Sequence, residues 1–165
     1  MKRVLRARPL TPDGFAPFGD VIDDSLVDPI AINGGTTHRF NDLARVELDG
    51  AGRPLLNIFR NLVAISLPYR LPLLECHPLG SQAFVPRQSA RFLVVVARPG
   101  PEPDLDRLEA FLSDGVQGVN YHTGTWHLPL AGLTLADYVV IDRGGPGNNC
   151  IEFSLQEHPV TVVTG

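Results

Sequence analysis

The chain has 165 residues, of which 44% are hydrophobic and 19% are charged, and its formal net charge at pH 7 is −4. This length predicts a single domain over residues 1–165, and the apolar content is enough for a core and argues against disorder. Lys and Arg form no run beyond the short segment from Lys2 to Arg8. We therefore expect neither a nucleic acid nor an anionic membrane as a partner.

The sequence predicts a cytoplasmic location. Residues 1–15 contain no apolar core of signal-peptide length. The longest apolar run, 92–97, is far too short to span a bilayer. Two cysteines, Cys76 and Cys150, fit a reducing compartment, and a disulfide between them is the less favoured alternative.

The first third of the chain predicts short strands and one short helix. Strands are expected at 4–8, 21–22, 30–32 and, from a looser alternation, 43–48. Thr11 is a suitable N-cap for a helix of one or two turns that starts at Pro12. The next strands in chain order are expected at 55–59, 73–77, 83–85 and 91–97. The last of these has β-branched residues on both faces, which indicates a central strand.

A longer helix is predicted after Pro103. Asp104 can cap it, Gly115 can end it, and one apolar stripe is formed by Leu105, Leu108, Phe111 and Leu112. Further strands are expected at 119–122, 126–130, 138–142 and 151–155, with an edge strand at 160–163 that is a candidate for pairing between subunits. Many short strands with frequent Gly and Pro predict an all-β sandwich or barrel, for which a jelly roll is a natural choice.

The first candidate functional motif is Glu75-Cys76-His77, followed by Gln82. Side chains alternate along a strand, so Glu75 and His77 point to the same face and Cys76 to the other. If that face lines the interior of the barrel, a carboxylate and an imidazole enter it together. Gln82 follows a Pro-Leu-Gly-Ser turn at the start of the next strand.

A second motif places His122 and His127 on either side of a turn that contains Gly124. The two motifs resemble the metal-binding motifs of the cupin superfamily, His-x-His followed by Glu, and Pro-x-Gly-x-x-His. Here the spacings are Glu75-x-His77-x4-Gln82 and His122-x-Gly124-x-x-His127. Only His77 and His127 match outright, and Gln82 is a weaker ligand than the usual carboxylate. A divalent ion could still be held by Glu75, His77, Gln82 and His127.

Longer stretches resemble the ureidoglycolate lyase family of allantoin degradation in the same order, from about Leu10 to Ser154. They are 32–35 through Arg39, 42–44, 75–86, 115–122 through 126–130, and 141–145. The resemblance implies a cupin-like jelly-roll β-barrel with one or two short helices. It also implies a cytoplasmic homodimer that eliminates urea from (S)-ureidoglycolate to give glyoxylate, in the use of purine nitrogen. A divalent metal such as nickel is associated with the family, and no organic cofactor is expected.

This reaction requires a base for the substrate hydroxyl, a proton for the departing nitrogen and a contact for the carboxylate. We expect Glu75, His77 and His127 to be catalytic, with the pKa of Glu75 raised if the carboxyl is buried. Arg60, Arg39 or Arg143 can bind the carboxylate, although Arg60 can equally form a surface ion pair and Arg143 can equally stabilise its turn. Gln82 can contact the ureido group or the hydroxyl.

Two further residues are candidate substrate contacts, each with a structural alternative. His122 can instead hydrogen-bond within its turn, and Trp126 can instead pack in the core. Asp142 either orients a histidine or caps a turn. Two other functions also stay open: another metal-dependent cupin enzyme, such as an oxygenase or isomerase, and a non-catalytic small-molecule binding module.

Overall fold

The structure, a computed structural model, describes residues 3–165 and is built almost entirely of strands. In chain order the strands are β1 (Arg3–Pro9), β2 (Gly19–Ile22), β3 (Ile30–Ile32), β4 (Thr37–Arg39), β5 (Arg53–Asn61), β6 (Tyr69–Arg70), β7 (Leu73–Cys76), β8 (Gln82–Pro86), β9 (Phe92–Ala97), β10 (Glu109–Leu112), β11 (Gly118–Tyr121), β12 (Trp126–His127), β13 (Ala131–Gly132), β14 (Ala136–Gly144), β15 (Ile151–Ser154) and β16 (Val160–Thr164). The α-helix of this part is α1 (Pro12–Phe15), capped by Thr11 as predicted.

Two sheets form the body of the molecule. The larger has the order β15-β7-β12-β9-β10-β1-β16-β6, with β13 also paired to β9. The smaller has the order β2-β11-β8-β14-β5, and β3 and β4 form a separate hairpin. Pairing is antiparallel except where β1 lies parallel to β10 and β16.

Strand β9 is buried along its whole length because both faces of the larger sheet are covered. Val94 and Val96 pack between the two sheets with Phe111, Val119 and Val140. Val95 and Ala97 contribute to a second cluster on the opposite face. The central position predicted for this strand is therefore confirmed.

The prediction of a helix after Pro103 was wrong. A short 3-10 turn at Leu105–Arg107 is followed by β10, which pairs with β9 and β1. Leu108 and Ala110 pack with Val95 and Ala97 in the second cluster, on the opposite face of the larger sheet, and Phe111 packs between the sheets. This segment therefore carries apolar residues on both of its faces. Their spacing along the chain resembled the apolar stripe of an amphipathic helix.

The expectations for two other segments also differ from the structure. Strand β16 is not an edge, because it lies between β1 and β6 and buries Val160 and Val162. Residues 43–48 form no strand and contribute one isolated bridge, Leu48 to Gly80.

The overall arrangement is an all-β, cupin-like fold in which two sheets enclose the core. Both cysteines are free, with Cys76 buried and Cys150 exposed. Within residues 3–165, none of the helices has the length and apolar character needed to cross a membrane.

Candidate active site

The candidate site lies where strands of both sheets face each other. Glu75 on β7 is directly paired with His127 on β12, which is paired in turn with Val96 on β9. Paired residues in neighbouring strands project to the same face of a sheet, and Val96 faces the space between the sheets. Glu75 and His127 therefore enter that space, whereas Cys76 packs on the opposite face, as predicted.

Four polar atoms converge there. His77 Nε2 lies 3.1 Å from Gln82 Oε1, and His127 Nε2 lies 3.3 Å from the same oxygen. Glu75 Oε1 is 3.3 Å from His127 Nε2 and 3.8 Å from His77 Nε2. In the larger sheet, Glu75 lies on β7, His77 follows β7 directly, and His127 lies on β12. Gln82 comes from β8 of the smaller sheet. We call these four residues the acceptor cluster.

The other ring nitrogen of each histidine, Nδ1, is hydrogen-bonded to a backbone carbonyl. His127 Nδ1 donates to Thr125 O at 2.9 Å, and His77 Nδ1 donates to Asn149 O. A carbonyl oxygen can only accept, so Nδ1 carries the hydrogen in both rings, and a neutral ring has a lone pair on Nε2. In the neutral form of each ring, this lone pair points towards the cluster.

The Gln82 amide is held from the other side by Asp142 on β14. Gln82 Nε2 donates to Asp142 Oδ2 at 3.2 Å, so that Oε1 faces the two histidines. Asp142 Oδ1 accepts from the backbone N–H of Arg143 at 2.8 Å. Asp142 therefore orients Gln82, which is neither of the two roles that the sequence suggested for it.

The charge state of Glu75 differs from the sequence expectation. Burial raises the pKa of this carboxyl, but the contact with His127 and the positive charge that His127 and His77 carry when protonated lower it more, so that the pKa lies below its ordinary value. The expectation of a raised pKa was wrong because the partners of the carboxyl outweigh its desolvation. Glu75 is consequently ionised at neutral pH.

The donor set of the acceptor cluster fits a divalent cation. Ligand atoms of Glu75, His77 and His127 all lie within 4.8 Å of one another. When both imidazoles are neutral, the cluster presents only electron pairs, from two ring nitrogens, a carboxylate oxygen and a carboxamide oxygen, and a cation between them would relieve their repulsion. Imidazole and carboxylate are suitable ligands for several divalent transition metals. A second, more exposed group shares Glu75 and adds Cys150 and Glu152.

An open cleft of about 430 Å³ borders Glu75. Its other walls are Phe59, Arg60, Asn61, Pro129 and Leu130. Arg60 on β5 and Glu75 on β7 thus share one cleft, although strand β6 lies between them in the sequence. The Arg60 guanidinium is also bound to Asp137, with Nε–Oδ1 and Nη2–Oδ2 distances of 2.8 and 2.9 Å.

The other candidate residues lie away from the acceptor cluster. Arg39 is exposed on the β3–β4 hairpin. His122 Nε2 lies 3.1 Å from Asp20 Oδ2, a distance typical of an ion pair, although the ring is not aligned for a hydrogen bond. Trp126 is buried against Phe153, and its indole N–H donates to Gly100 O.

Arg143 is a structural residue. Its side chain is almost fully buried and donates through Nε and Nη2 to Asp49 and through Nη1 to Pro146 O. Arg143 therefore links the segments that carry Asp49 and Pro146, and its guanidinium is not available to bind a substrate carboxylate.

Two residues support the site in ways that the sequence did not indicate. Tyr121 stacks on His127, with ring centroids 4.0 Å apart and an angle of 10° between the planes. Asn149 accepts from His77 through its backbone and caps Leu79 N with its side chain at 2.8 Å. No local pattern marks either role, because both depend on contacts between segments distant in the chain.

Comparison with known proteins identifies the family. The family model described as "Ureidoglycolate lyase" matches residues 2–163. A protein of Burkholderia mallei (strain NCTC 10229) named ureidoglycolate lyase is 48% identical over 157 residues, covering 94% of this chain and 91% of its own. Proteins of the same name from Pseudomonas putida (strain W619) and Pseudomonas syringae pv. syringae (strain B728a) are 45% and 46% identical over 165 residues, each covering 98% of this chain. The chain belongs to the ureidoglycolate lyase family.

Proposed function

We propose that this protein eliminates urea from (S)-ureidoglycolate to give glyoxylate. The observation that carries the proposal is the ionised Glu75 carboxylate, which borders a cleft and contacts two imidazoles whose orientation is fixed. The full-length family match supplies the substrate class, because the relatives are named ureidoglycolate lyase.

The reaction needs one proton to move within the substrate. Glu75 accepts the proton of the hydroxyl group as the carbonyl of glyoxylate forms and the carbon–nitrogen bond breaks. The same carboxyl then returns this proton to the departing nitrogen, which leaves as urea. The atoms balance without water, an oxidant or an organic cofactor. General acid–base catalysis of this kind contributes about 10²–10⁴-fold in rate.

We assign the holding of a divalent cation, with nickel as the candidate from family resemblance, to His77, His127, Gln82 and one oxygen of Glu75. When bound, such an ion lowers the pKa of a coordinated hydroxyl group and fixes its orientation. The second oxygen of Glu75 stays available for the proton. His77 and His127 keep their Nε2 atoms directed at this point through the bonds of Nδ1 to backbone carbonyls.

Arg60 is the candidate contact for the substrate carboxylate, because it is a cation in the wall of the cleft. Asp137 holds the guanidinium in place but leaves it exposed, so a second carboxylate can approach. Arg39 and His122 stay candidate substrate contacts only if a rearrangement or a second subunit brings them to the cleft. In this proposal Trp126 does not contact the substrate. It supports the site by packing β12, the strand that also carries His127.

The test is a product assay with racemic ureidoglycolate and separate measurements of glyoxylate, urea and ammonia, with and without a chelator. We expect glyoxylate and urea in equal amounts and no ammonia. Ammonia in place of urea would contradict a lyase, and ligand binding without any product would favour a binding module. Loss of activity with the chelator, restored by nickel, would support the metal assignment.

The protein is further proposed to be a cytoplasmic homodimer that acts in allantoin degradation, in line with the family resemblance. The dimer proposal is supported by exposed apolar residues on and after the edge strand β5, namely Leu56, Ile58, Leu62 and Val63. Light scattering after size exclusion tests it, and a Leu56→Glu variant should elute as a monomer. An unchanged mass for that variant would exclude the β5 edge as the interface.

A further inference from the structure

We propose that Asp142 is a positioning residue that makes the acceptor cluster specific for a cation by holding the Gln82 amide in one of its two orientations. The proposal rests on the function assigned above to the cluster, and it concerns a residue outside it. Asp142 touches none of the other three cluster residues through a hydrogen bond in the described part of the chain, so its action on the histidines passes through Gln82.

A carboxamide can turn over and exchange its oxygen for its NH₂ group at almost no cost in shape. Without Asp142, the turned amide would be favoured beside the neutral rings, because its NH₂ group would donate to the lone pair of His77 Nε2 or His127 Nε2. A site of that kind would be satisfied without a cation. The carboxylate of Asp142 prevents this, since it can accept from the NH₂ group of Gln82 but repels the oxygen.

The second oxygen of Asp142 makes the constraint one-sided. Oδ1 is occupied by the backbone N–H of Arg143 at 2.8 Å, which leaves Oδ2 to face Gln82. An Asn at this position has the same shape, and its oxygen must stay with the Arg143 N–H. Its NH₂ group would then face Gln82, and Gln82 would turn its oxygen towards Asn and its NH₂ group towards the histidines.

The substitution Asp142→Asn is therefore expected to invert the Gln82 amide, to which Asp142 is hydrogen-bonded, while preserving the fold. Nuclear Overhauser effects in the metal-free protein measure the orientation directly. In the wild type the Gln82 NH₂ protons lie near Asp142 and give weak contacts to the imidazole C–H protons. In Asp142→Asn these contacts should be strong for His77 and His127. Unchanged contacts would overturn the proposal.

Cation binding gives a second readout. We expect the affinity for Ni²⁺, titrated calorimetrically as the metal alone, to fall about 10–100-fold in Asp142→Asn, which is the usual range for loss of an outer partner of a metal site. The double variant Asp142→Asn with Gln82→Glu again presents an oxygen to the histidines while the new Asn donates to the other oxygen. Most of the affinity should return, and no recovery would contradict a positioning role.

Asp20→Asn is the control for charge. It removes one negative charge but leaves Gln82, Asp142 and both groups of candidate metal ligands untouched. If it weakens Ni²⁺ binding as much as Asp142→Asn does, loss of charge explains both results and the proposal fails. If the wild type binds no Ni²⁺ but the amide still inverts in Asp142→Asn, the orienting role stands and the metal assignment of the proposed function fails.

Discussion

Tyr121 lies flat against His127, with the two ring centroids 4.0 Å apart and the planes inclined by 10°. The stack and the bond from His127 Nδ1 to Thr125 O together leave the imidazole one orientation. Tyr121 is buried between aromatic neighbours, and burial, reinforced by the negative charge of Glu75, raises the pKa of its hydroxyl far above the usual range. The phenol is therefore neutral at every physiological pH.

We expect Tyr121→Ala to lower the free energy of unfolding by about 3–5 kcal/mol, as for other large aromatic residues in cores. The freed His127 ring should also weaken cation binding. Denaturant unfolding and calorimetric titration with Ni²⁺ measure the two effects. Tyr121→Phe is the control: it preserves the stacked ring, so Ni²⁺ affinity close to that of the wild type is expected. A large loss in this variant would show that the hydroxyl, and not the ring, supports the site.

Replacement of Glu75 by Gln tests the assigned proton transfer. We expect kcat to fall about 10²–10⁴-fold, because the amide cannot accept the hydroxyl proton. The amide oxygen can still contact a cation or the substrate, so ureidoglycolate should bind with little change. Steady-state kinetics and equilibrium binding separate the two effects. Full activity of Glu75→Gln would remove Glu75 from the mechanism.

The contacts of the Asp20 carboxyl predict that the protein loses stability in acid. Burial raises the pKa of its carboxyl, but hydrogen bonds from Asn120 Nδ2 and Arg45 N and the contact with His122 lower it below the ordinary value of 3.8. A depressed pKa stabilises the fold above the unfolded-state pKa, and this contribution is lost as the pH falls through the folded-state value.

The variant Asp20→Asn should therefore be less stable than the wild type at pH 7, and the difference should shrink as the pH falls below 3.8. Urea unfolding between pH 3 and pH 7 measures it. A difference that stays constant over this range would show that the carboxylate is not ionised in the way described.

Gly80 lies in the turn between His77 and Gln82, and no side chain fits there. An added Cβ would approach Arg143 Cβ to 2.7 Å and Glu47 O to 3.0 Å. We expect Gly80→Ala to lower the free energy of unfolding by about 1–3 kcal/mol, the usual cost of overpacking, and to disturb Gln82. Thermal unfolding tests the effect. Gly50→Ala is the matched control, because nothing lies within 4 Å of an added Cβ there, and equal losses in the two variants would contradict the steric explanation.

Elements whose signal is local could be predicted from the sequence. The alternation along 73–77 placed Glu75 and His77 on one face, and the unbroken apolar run at 92–97, with three consecutive valines, marked the central strand. The helix predicted after Pro103 failed for the same reason, since a local spacing of apolar residues cannot show that a sheet will be covered on both faces. Pairing of β10 with β9 and β1 decided that segment.

The sequence by itself determined the residue types of the acceptor cluster and, through strand periodicity, the common face of Glu75 and His77. Only the tertiary structure decided their chemical state. The pKa of Glu75 is lowered by imidazoles, one of which comes from another strand, and the Gln82 oxygen faces those rings because Asp142, 60 residues further along the chain, holds the amide from behind. Charge state and amide orientation depend on electrostatic contacts across two sheets, and such contacts exist only once the sheets have packed.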